Sequence, residues 1–247
     1  MPAHELLLTA GSRRLRCEIW RPDPTRHGAG PHPGVLLLHE LFGLTDNVRD
    51  DARRLADAGY LALAPDLFSD GGQVRYCLKQ FFSLEGLLNK ATSEGNREVG
   101  DLLDQLAAHP ACNGRIGMIG QCLTGGFVLQ MARRPDMAAP VVFHHSLGVH
   151  SGGLPDADAR TVKGPVLGHF AAFDPVACPR PRRERLKELL GERLEAHVYE
   201  GVGHGIRSLY RNRPPSDRAW DRTMAFLDRH LRIGVGVDGG EVPPVRS

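Results

Sequence analysis

The sequence predicts an α/β fold, with a mostly parallel central sheet covered by helices on both faces. One observation is a series of short, continuous apolar runs of the kind that form buried parallel strands. Another is that amphipathic segments, with apolar residues at helical spacing, separate these runs. The runs lie at residues 34–39, 60–64, 115–119, 139–144, 165–170 and 194–199. The helical segments lie at residues 46–58, 93–108, 122–134, 181–190 and 216–231.

The remaining segments complete one domain. Residues 5–20 form two extended stretches around Gly11, which predicts an N-terminal hairpin. A short helix is expected near residues 81–88. Residues 233–247 are rich in Gly, Val and Pro without helical periodicity, so we expect a flexible C-terminal tail. A single α/β domain over residues 1–232 fits the chain length, because such domains often reach about 200–250 residues.

The composition is that of an ordinary globular protein. The 247-residue chain has a formal charge of +2, which gives no reason to expect nucleic acid or a membrane surface as a partner. The N-terminus lacks the charged-then-apolar order of a signal peptide, and no apolar run approaches the roughly 18–20 residues that span a bilayer. Five cysteines are scattered without a disulfide or metal-binding spacing. We therefore expect a cytoplasmic protein, either monomeric or homodimeric. The arginine clusters at 180–186 and 207–213 are interpreted as solvated surfaces.

Cys122 lies at a turn between a strand and a helix, in the segment Gly120-Gln-Cys122-Leu-Thr124, which two further glycines follow. Such a sharp strand-to-helix turn is typical of the nucleophile elbow, which raises one side chain above the sheet and requires small residues around it. The helix N-terminus favours the thiolate form of a cysteine at this place. The backbone N–H of Leu123 is then one donor of a predicted oxyanion hole. An ordinary buried cysteine is the alternative, and the residues that follow argue against it.

An aspartate and a histidine follow Cys122 in the order of the α/β-hydrolase triad, which is nucleophile, acid and histidine. Asp174 follows an apolar strand, and His204 lies in a loop with glycines on both sides. Because the carboxyl ends of parallel strands meet at one edge of the sheet, we expect these side chains near Cys122. His204 would take the thiol proton and later protonate the leaving group, while Asp174 would fix the imidazole tautomer. The sequence therefore predicts an α/β-hydrolase fold with a Cys122–His204–Asp174 triad.

With these residues in place, the chain resembles the dienelactone hydrolase family over roughly residues 34–231. The resemblance is strongest in the segment Glu40-Leu-Phe-Gly43, in the cysteine elbow and around His204. It implies a hydrolase that cleaves a small ester or lactone, of the carboxymethylenebutenolide type, through a thioacyl-enzyme and without a metal or organic cofactor. It also implies that Glu40 approaches the nucleophile and modulates the resting thiol, and that the N–H of Leu41 is the second oxyanion donor.

Family members that act on dienelactone use arginines to hold the substrate carboxylate. The resemblance suggests Arg75, after the second buried strand, and Arg207, shortly after the catalytic histidine, with Arg211 as a further option. A broader carboxylesterase that acts on neutral small esters is an alternative for the same triad. A non-catalytic small-molecule-binding protein that kept the fold is the alternative of another class.

Several histidines lie fairly close together in the second half of the chain, so a metal site is a further alternative. They are His144, His145, His150 and His169. Adjacent side chains on a strand point to opposite faces of the sheet, so His144 and His145 do not easily share one ion. We expect structural or loop histidines here, and no metal site is predicted. The other four cysteines lack an elbow and are interpreted as packing or surface thiols.

Overall fold

The computed structural model describes residues 3–83, 85, 88–146, 148, 154, 156–175 and 177–232. The strands are β1 His4–Ala10, β2 Arg13–Trp20, β3 His32–Leu37, β4 Leu61–Pro65, β5 Cys112–Gln121, β6 Met137–Phe143, β7 Val166–Ala171 and β8 Leu194–Tyr199. They form one eight-stranded sheet in the order β1-β2-β4-β3-β5-β6-β7-β8. Strand β2 pairs antiparallel with β1 and β4, and the other neighbours are parallel. The predicted N-terminal hairpin and the mostly parallel sheet are confirmed.

Helices cover both faces of this sheet, as the sequence predicts. They are α1 Pro24–His27, α2 Asp46–Asp57, α3 Gly72–Phe82, α4 Glu94–Ala107, α5 Gly125–Met131, α6 Asp156–Ala159, α7 Arg180–Leu190 and α8 Pro214–Leu231. Helices α2 and α8 bury apolar side chains such as Leu55 and Phe226 against one face. Helices α4, α5 and α7 bury side chains such as Leu102, Phe127 and Leu186 against the other. This arrangement is the α/β-hydrolase fold.

Two of the expected segments are described only in part or not at all. Helix α3 lies ahead of the helix expected near residues 81–88, a range that is only partly described. The predicted tail, residues 233–247, lies outside the described residues. Among the helices that are described, each is too short or too polar to cross a lipid bilayer.

The parallel strands bring the polar residues of interest to one edge of the sheet. Glu40 follows β3, Cys122 follows β5, Asp174 follows β7 and His204 follows β8. These four strands run in the same direction, so their carboxyl ends open at the same side. Ligands of open α/β sheets bind at this edge.

Close backbone packing holds the turn between β5 and α5. A Cβ atom at Gly120 would lie 2.6 Å from both the Thr124 carbonyl oxygen and a methyl group of Val128. A Cβ atom at Gly125 would overlap the carbonyl oxygen of His144, which follows β6. Only glycine therefore allows α5 to approach both the strand before it and the segment after β6.

We expect Gly125→Ala to destabilise the protein by about 3 kcal/mol or more, because the backbone carbonyl of His144 has little freedom to move aside. Gly100, inside helix α4, is the matched control, since its nearest neighbour would be an Arg134 nitrogen at 3.9 Å. Gly100→Ala should stabilise the protein by about 0.5–1 kcal/mol through helix propensity. Urea unfolding followed by circular dichroism measures both variants. Equal stability of the two would contradict the packing account.

Candidate active site

Cys122 lies at a strained turn that directs its side chain into the site. Its φ angle is +57°, in the left-handed region that residues other than glycine rarely adopt. The side chain is buried. Thr124 stabilises the turn, because its hydroxyl oxygen accepts a hydrogen bond from Gln121 N–H at 2.8 Å and its O–H donates to the Gln121 carbonyl at 2.9 Å. The local backbone is therefore that of a nucleophile elbow.

His204 and Asp174 form a hydrogen-bonded pair next to this turn. Nδ1 of His204 donates to Oδ2 of Asp174 at 2.6 Å. The other carboxylate oxygen of Asp174 accepts a hydrogen bond from Ala177 N–H at 3.1 Å. Nε2 of His204 makes no well-aligned hydrogen bond within the described residues, as is common for catalytic pairs without substrate. The imidazole nevertheless interacts with Cys122, so the structure brings the three predicted triad residues together.

The electrostatics of this group favour an ion pair. Burial lowers the pKa of the His204 imidazole, but the Asp174 carboxylate and the Cys122 sulfur outweigh burial and raise the pKa to about 10. Burial raises the pKa of Asp174, but its hydrogen bond to His204 prevails and holds the pKa well below its usual range. The Asp174 carboxylate thus favours the protonated form of the His204 imidazole. A protonated imidazole beside a cysteine stabilises the thiolate.

His144 is a neighbour of the triad that the sequence analysis did not identify. Its ring centre lies 4.7 Å from that of His204, and its Nδ1 is 3.5 Å from Oδ2 of Asp174. Burial and the nearby charge of His204 lower the pKa of His144 to about 3, so this imidazole is neutral. The signal that could have identified it is its position directly after β6, which lies between β5 and β7 in the sheet.

The same three side chains raise the question of a metal site, since donor atoms of His144, Asp174 and His204 lie within 4.8 Å of one another. Nδ1 of His204 and Oδ2 of Asp174 are only 2.6 Å apart. Two ligands of one zinc ion, each about 2.0–2.2 Å from it, are separated by more than about 3 Å. The arrangement therefore fits a hydrogen-bonded triad better than a metal centre.

Glu40 is buried, and its carboxyl group interacts with the charge of His204. Burial raises the pKa of its carboxyl group, while the Ser208 hydroxyl and the charge of His204 act in the opposite direction. Within the described residues, Glu40 makes no hydrogen bond to Cys122. His39 fixes this loop: its Nε2 accepts from Leu67 N–H at 2.9 Å, so its Nδ1 carries the proton that it donates to the Glu40 carbonyl at 2.7 Å.

The two predicted oxyanion donors belong to the turns after β3 and β5. Leu123 is the second residue of the short 3-10 helix Cys122–Thr124, and N–H groups at a helix start have no partner inside the helix. Leu41 N–H donates no hydrogen bond to the described part of the chain, while the Leu41 carbonyl accepts one from the Gln73 side chain. Both N–H groups are thus available to an oxyanion.

The prediction that Arg207 binds substrate is wrong. Its side chain is 2% exposed and forms an ion pair with the buried carboxylate of Asp51, with Nε 3.3 Å from Oδ2. The guanidinium also donates to the Ser216 hydroxyl at 3.0 Å and lies 4.7 Å from the centre of the Trp220 ring. These contacts fix the loop after His204 against helices α2 and α8.

The other arginines also differ from expectation. Arg211 pairs with Asp51 at 2.9 Å and with Asp50. Arg75 is exposed and lines a separate polar cavity of about 240 Å³, whose described lining includes none of the triad residues. Arg182 is buried, and its Nη1 donates to the carbonyls of Ser146 and Ala177. The interpretation of both arginine clusters as solvated surfaces is therefore wrong for Arg182 and Arg207.

We expect Asp51→Asn to destabilise the protein by about 3 kcal/mol or more, because it leaves the buried guanidinium of Arg207 without its counter-charge. Asp46, on the same helix, is fully exposed, so Asp46→Asn should change the stability by less than about 0.5 kcal/mol. Urea unfolding of the two variants measures the difference. A loss of less than about 1 kcal/mol in Asp51→Asn would contradict a structural role for this ion pair.

Comparison with known proteins agrees with this fold. The model of the dienelactone hydrolase family matches residues 23–231. The chain is 30% identical to the "Putative carboxymethylenebutenolidase" of Methylorubrum extorquens, over 83% of this chain and 74% of that protein. It is 26% identical to the protein of the same name from Saccharolobus solfataricus, over 91% of this chain and 98% of that protein.

Solved structures show the same architecture. A dienelactone hydrolase-like promiscuous phosphotriesterase from metagenomic libraries superposes with a TM-score of 0.75 at 24% identity, over 93% of this chain and 98% of that chain. This likeness concerns the fold. The family match covers most of the sequence, and the chain therefore belongs to the dienelactone hydrolase family.

Proposed function

We propose that this protein hydrolyses small esters or lactones with Cys122 as the nucleophile. The observation that carries the proposal is the meeting of a strained elbow cysteine with the His204–Asp174 pair, whose hydrogen bond is 2.6 Å long. Family membership and the carboxymethylenebutenolidase names of its relatives support the same class of substrate. A protein that only bound small molecules would not need this strained and charged arrangement.

The first half of the reaction forms a thioester. The Cys122 thiolate attacks the carbonyl carbon of the ester or lactone, and the carbonyl oxygen becomes an oxyanion. The N–H groups of Leu123 and Leu41 donate hydrogen bonds to that oxyanion. The intermediate then collapses, the carbon–oxygen bond to the leaving group breaks, and His204 gives its proton to the departing alkoxide.

The second half releases the acid. Neutral His204 takes a proton from a water molecule, which attacks the thioester carbonyl, and the oxyanion forms again in the same place. Collapse of this second intermediate breaks the carbon–sulfur bond and returns the thiolate to Cys122. Asp174 keeps the Nδ1 proton of the imidazole in place through both halves, so that Nε2 exchanges protons with the reactants.

We expect Cys122→Ala to lower kcat for p-nitrophenyl acetate by about 10⁴-fold or more, because the covalent route is lost. Cys112 begins the same strand, β5, far from the elbow, so Cys112→Ala is the matched control and should retain activity. Mass spectrometry of quenched reactions should find an acyl group on the Cys122 peptide in the control but no acylated protein in Cys122→Ala. Unchanged turnover by Cys122→Ala would overturn the mechanism.

The arginine contacts favour neutral esters over carboxylate-bearing lactones such as dienelactone. A substrate carboxylate needs a cation close to the site. The arginines that follow His204 are already paired with Asp51 and Asp50. Three large apolar side chains near the site residues in sequence are exposed, and we call them the apolar rim: Phe42, Phe173 and Leu209, which are 58%, 74% and 67% exposed.

The three residues of the apolar rim lie close in sequence to residues of the site. Phe42 follows the loop of Glu40, Phe173 directly precedes Asp174, and Leu209 directly follows Ser208. Exposed apolar side chains of this size gain free energy by covering an apolar ligand, at about 25 cal/mol per Å² of buried apolar surface. A neutral ester with an apolar acyl or alcohol group is therefore the substrate that these surroundings fit best.

We expect kcat/KM for p-nitrophenyl butyrate to exceed that for mono-p-nitrophenyl succinate by about tenfold or more, since an unpaired carboxylate loses solvation at an apolar rim. The initial rate of p-nitrophenol release is measured for both esters at equal ionic strength. The uncatalysed hydrolysis of each ester is the reference. Phe42→Ser should reduce the ratio of the two kcat/KM values but leave it above one. A preference for the succinate ester, or efficient turnover of dienelactone alone, would contradict the neutral-ester proposal and direct attention to Arg182 as the cation.

A further inference from the structure

The Ser146 hydroxyl group lies beside the nucleophile. Its Oγ lies 3.5 Å from Sγ of Cys122, and both side chains are buried. The His204 imidazole is another polar group that interacts with this sulfur. The contact joins the segments after two strands, since Cys122 follows β5 and Ser146 follows β6.

Backbone hydrogen bonds hold Ser146 in this position from both sides. Its N–H donates to the carbonyl oxygen of Cys122 at 3.1 Å. Its own carbonyl accepts from Nη1 of Arg182 at 3.1 Å, and the same nitrogen donates to the Ala177 carbonyl at 3.0 Å. Ala177 N–H in turn donates to the Asp174 carboxylate at 3.1 Å. Ser146 is thus fixed relative to the nucleophile and to the acid of the triad at once.

The chemistry of the contact differs from that of a carboxylate. A buried carboxylate beside a sulfur opposes ionisation of the thiol, because two negative charges repel each other. A hydroxyl group donates a hydrogen bond to a thiolate and carries no charge that would oppose ionisation of the thiol. In the described part of the chain, the titratable groups whose charges interact with the sulfur are His204, Arg182 and the Cys77 thiol. The Ser146 hydroxyl adds a neutral donor to these groups.

We propose that the Ser146 hydroxyl donates a hydrogen bond to the Cys122 sulfur in the resting enzyme and stabilises the thiolate. The proposal rests on the proposed function in that it takes Cys122 as the nucleophile. It assigns to Ser146 the control of the resting thiol that the family resemblance assigns to Glu40. The Ser146 proton stays on its oxygen, while the S–H bond of Cys122 breaks and its proton passes to Nε2 of His204.

Alkylation of Cys122 by iodoacetamide tests the proposal without any ester substrate. The rate is followed from pH 5 to pH 10 by mass spectrometry of the Cys122 peptide, so the other four cysteines do not contribute. In Ser146→Ala we expect the midpoint of the profile to rise by about one pH unit, and the rate at pH 6 to fall about tenfold, as befits loss of one hydrogen bond to an ionised group. Ser146→Thr, which keeps a hydroxyl, should restore the profile.

Two further variants make the outcome decisive. Ser146→Gly keeps the backbone hydrogen bond to Cys122 and introduces no bulk, so it should repeat the shift of Ser146→Ala even if that variant folds poorly. Glu40→Gln should move the midpoint less than Ser146→Ala does. A profile that is unchanged or moves downward in the folded serine variants overturns the proposal, as does a larger shift in Glu40→Gln. Loss of the proposed function would appear separately, as esterase activity that survives in Cys122→Ala.

Discussion

The close approach of helix α5 to the segment after β6 is the constraint on which the rest of the site depends. Gly125 carries no side chain because the His144 carbonyl oxygen occupies that space. The same approach lets Ser146 N–H donate to the Cys122 carbonyl at 3.1 Å and sets the His144 ring against His204. A side chain at Gly125 would therefore separate the nucleophile from its neighbouring hydroxyl and disturb the packing of the two imidazoles. Gly125, which the elbow requires, thus also allows Ser146 and His144 to lie close to the thiol.

His144 packs against the triad without adding a charge. A charged His144 would compete with His204 for the Asp174 carboxylate, but burial and the His204 charge lower the pKa of His144 to about 3. A neutral ring at this place covers the carboxylate and leaves its charge to the catalytic imidazole. Electrostatic interactions strengthen where water is excluded. The hydrogen bond of 2.6 Å between Asp174 and His204 is consistent with such a site.

Sequence reasoning was able to predict the sheet, the elbow and the meeting of Cys122 with the acid and the histidine, because all of these follow from where parallel strands end. It missed Ser146 and His144, since the predicted strand ran through residue 144, whereas β6 ends at Phe143 and the backbone turns at His144 with a φ of +57°. It also misjudged Arg207, whose burial depends on Asp51, 156 residues earlier in the chain. No local pattern in the sequence indicates a pairing between residues so far apart in the chain.

The arginines near the site share one role that ties these observations together. Arg207 fixes the loop after His204 to helix α2 through Asp51, and Arg182 joins the segment of Ser146 to the loop of Asp174. Each cation is placed where two loops from different strands must keep a fixed distance, and a guanidinium with several directed donors suits that task. The resemblance implies that arginines bind a substrate carboxylate, whereas Arg182 and Arg207 bind groups of this chain. Their positive charge thus fixes the loops that carry Asp174 and His204.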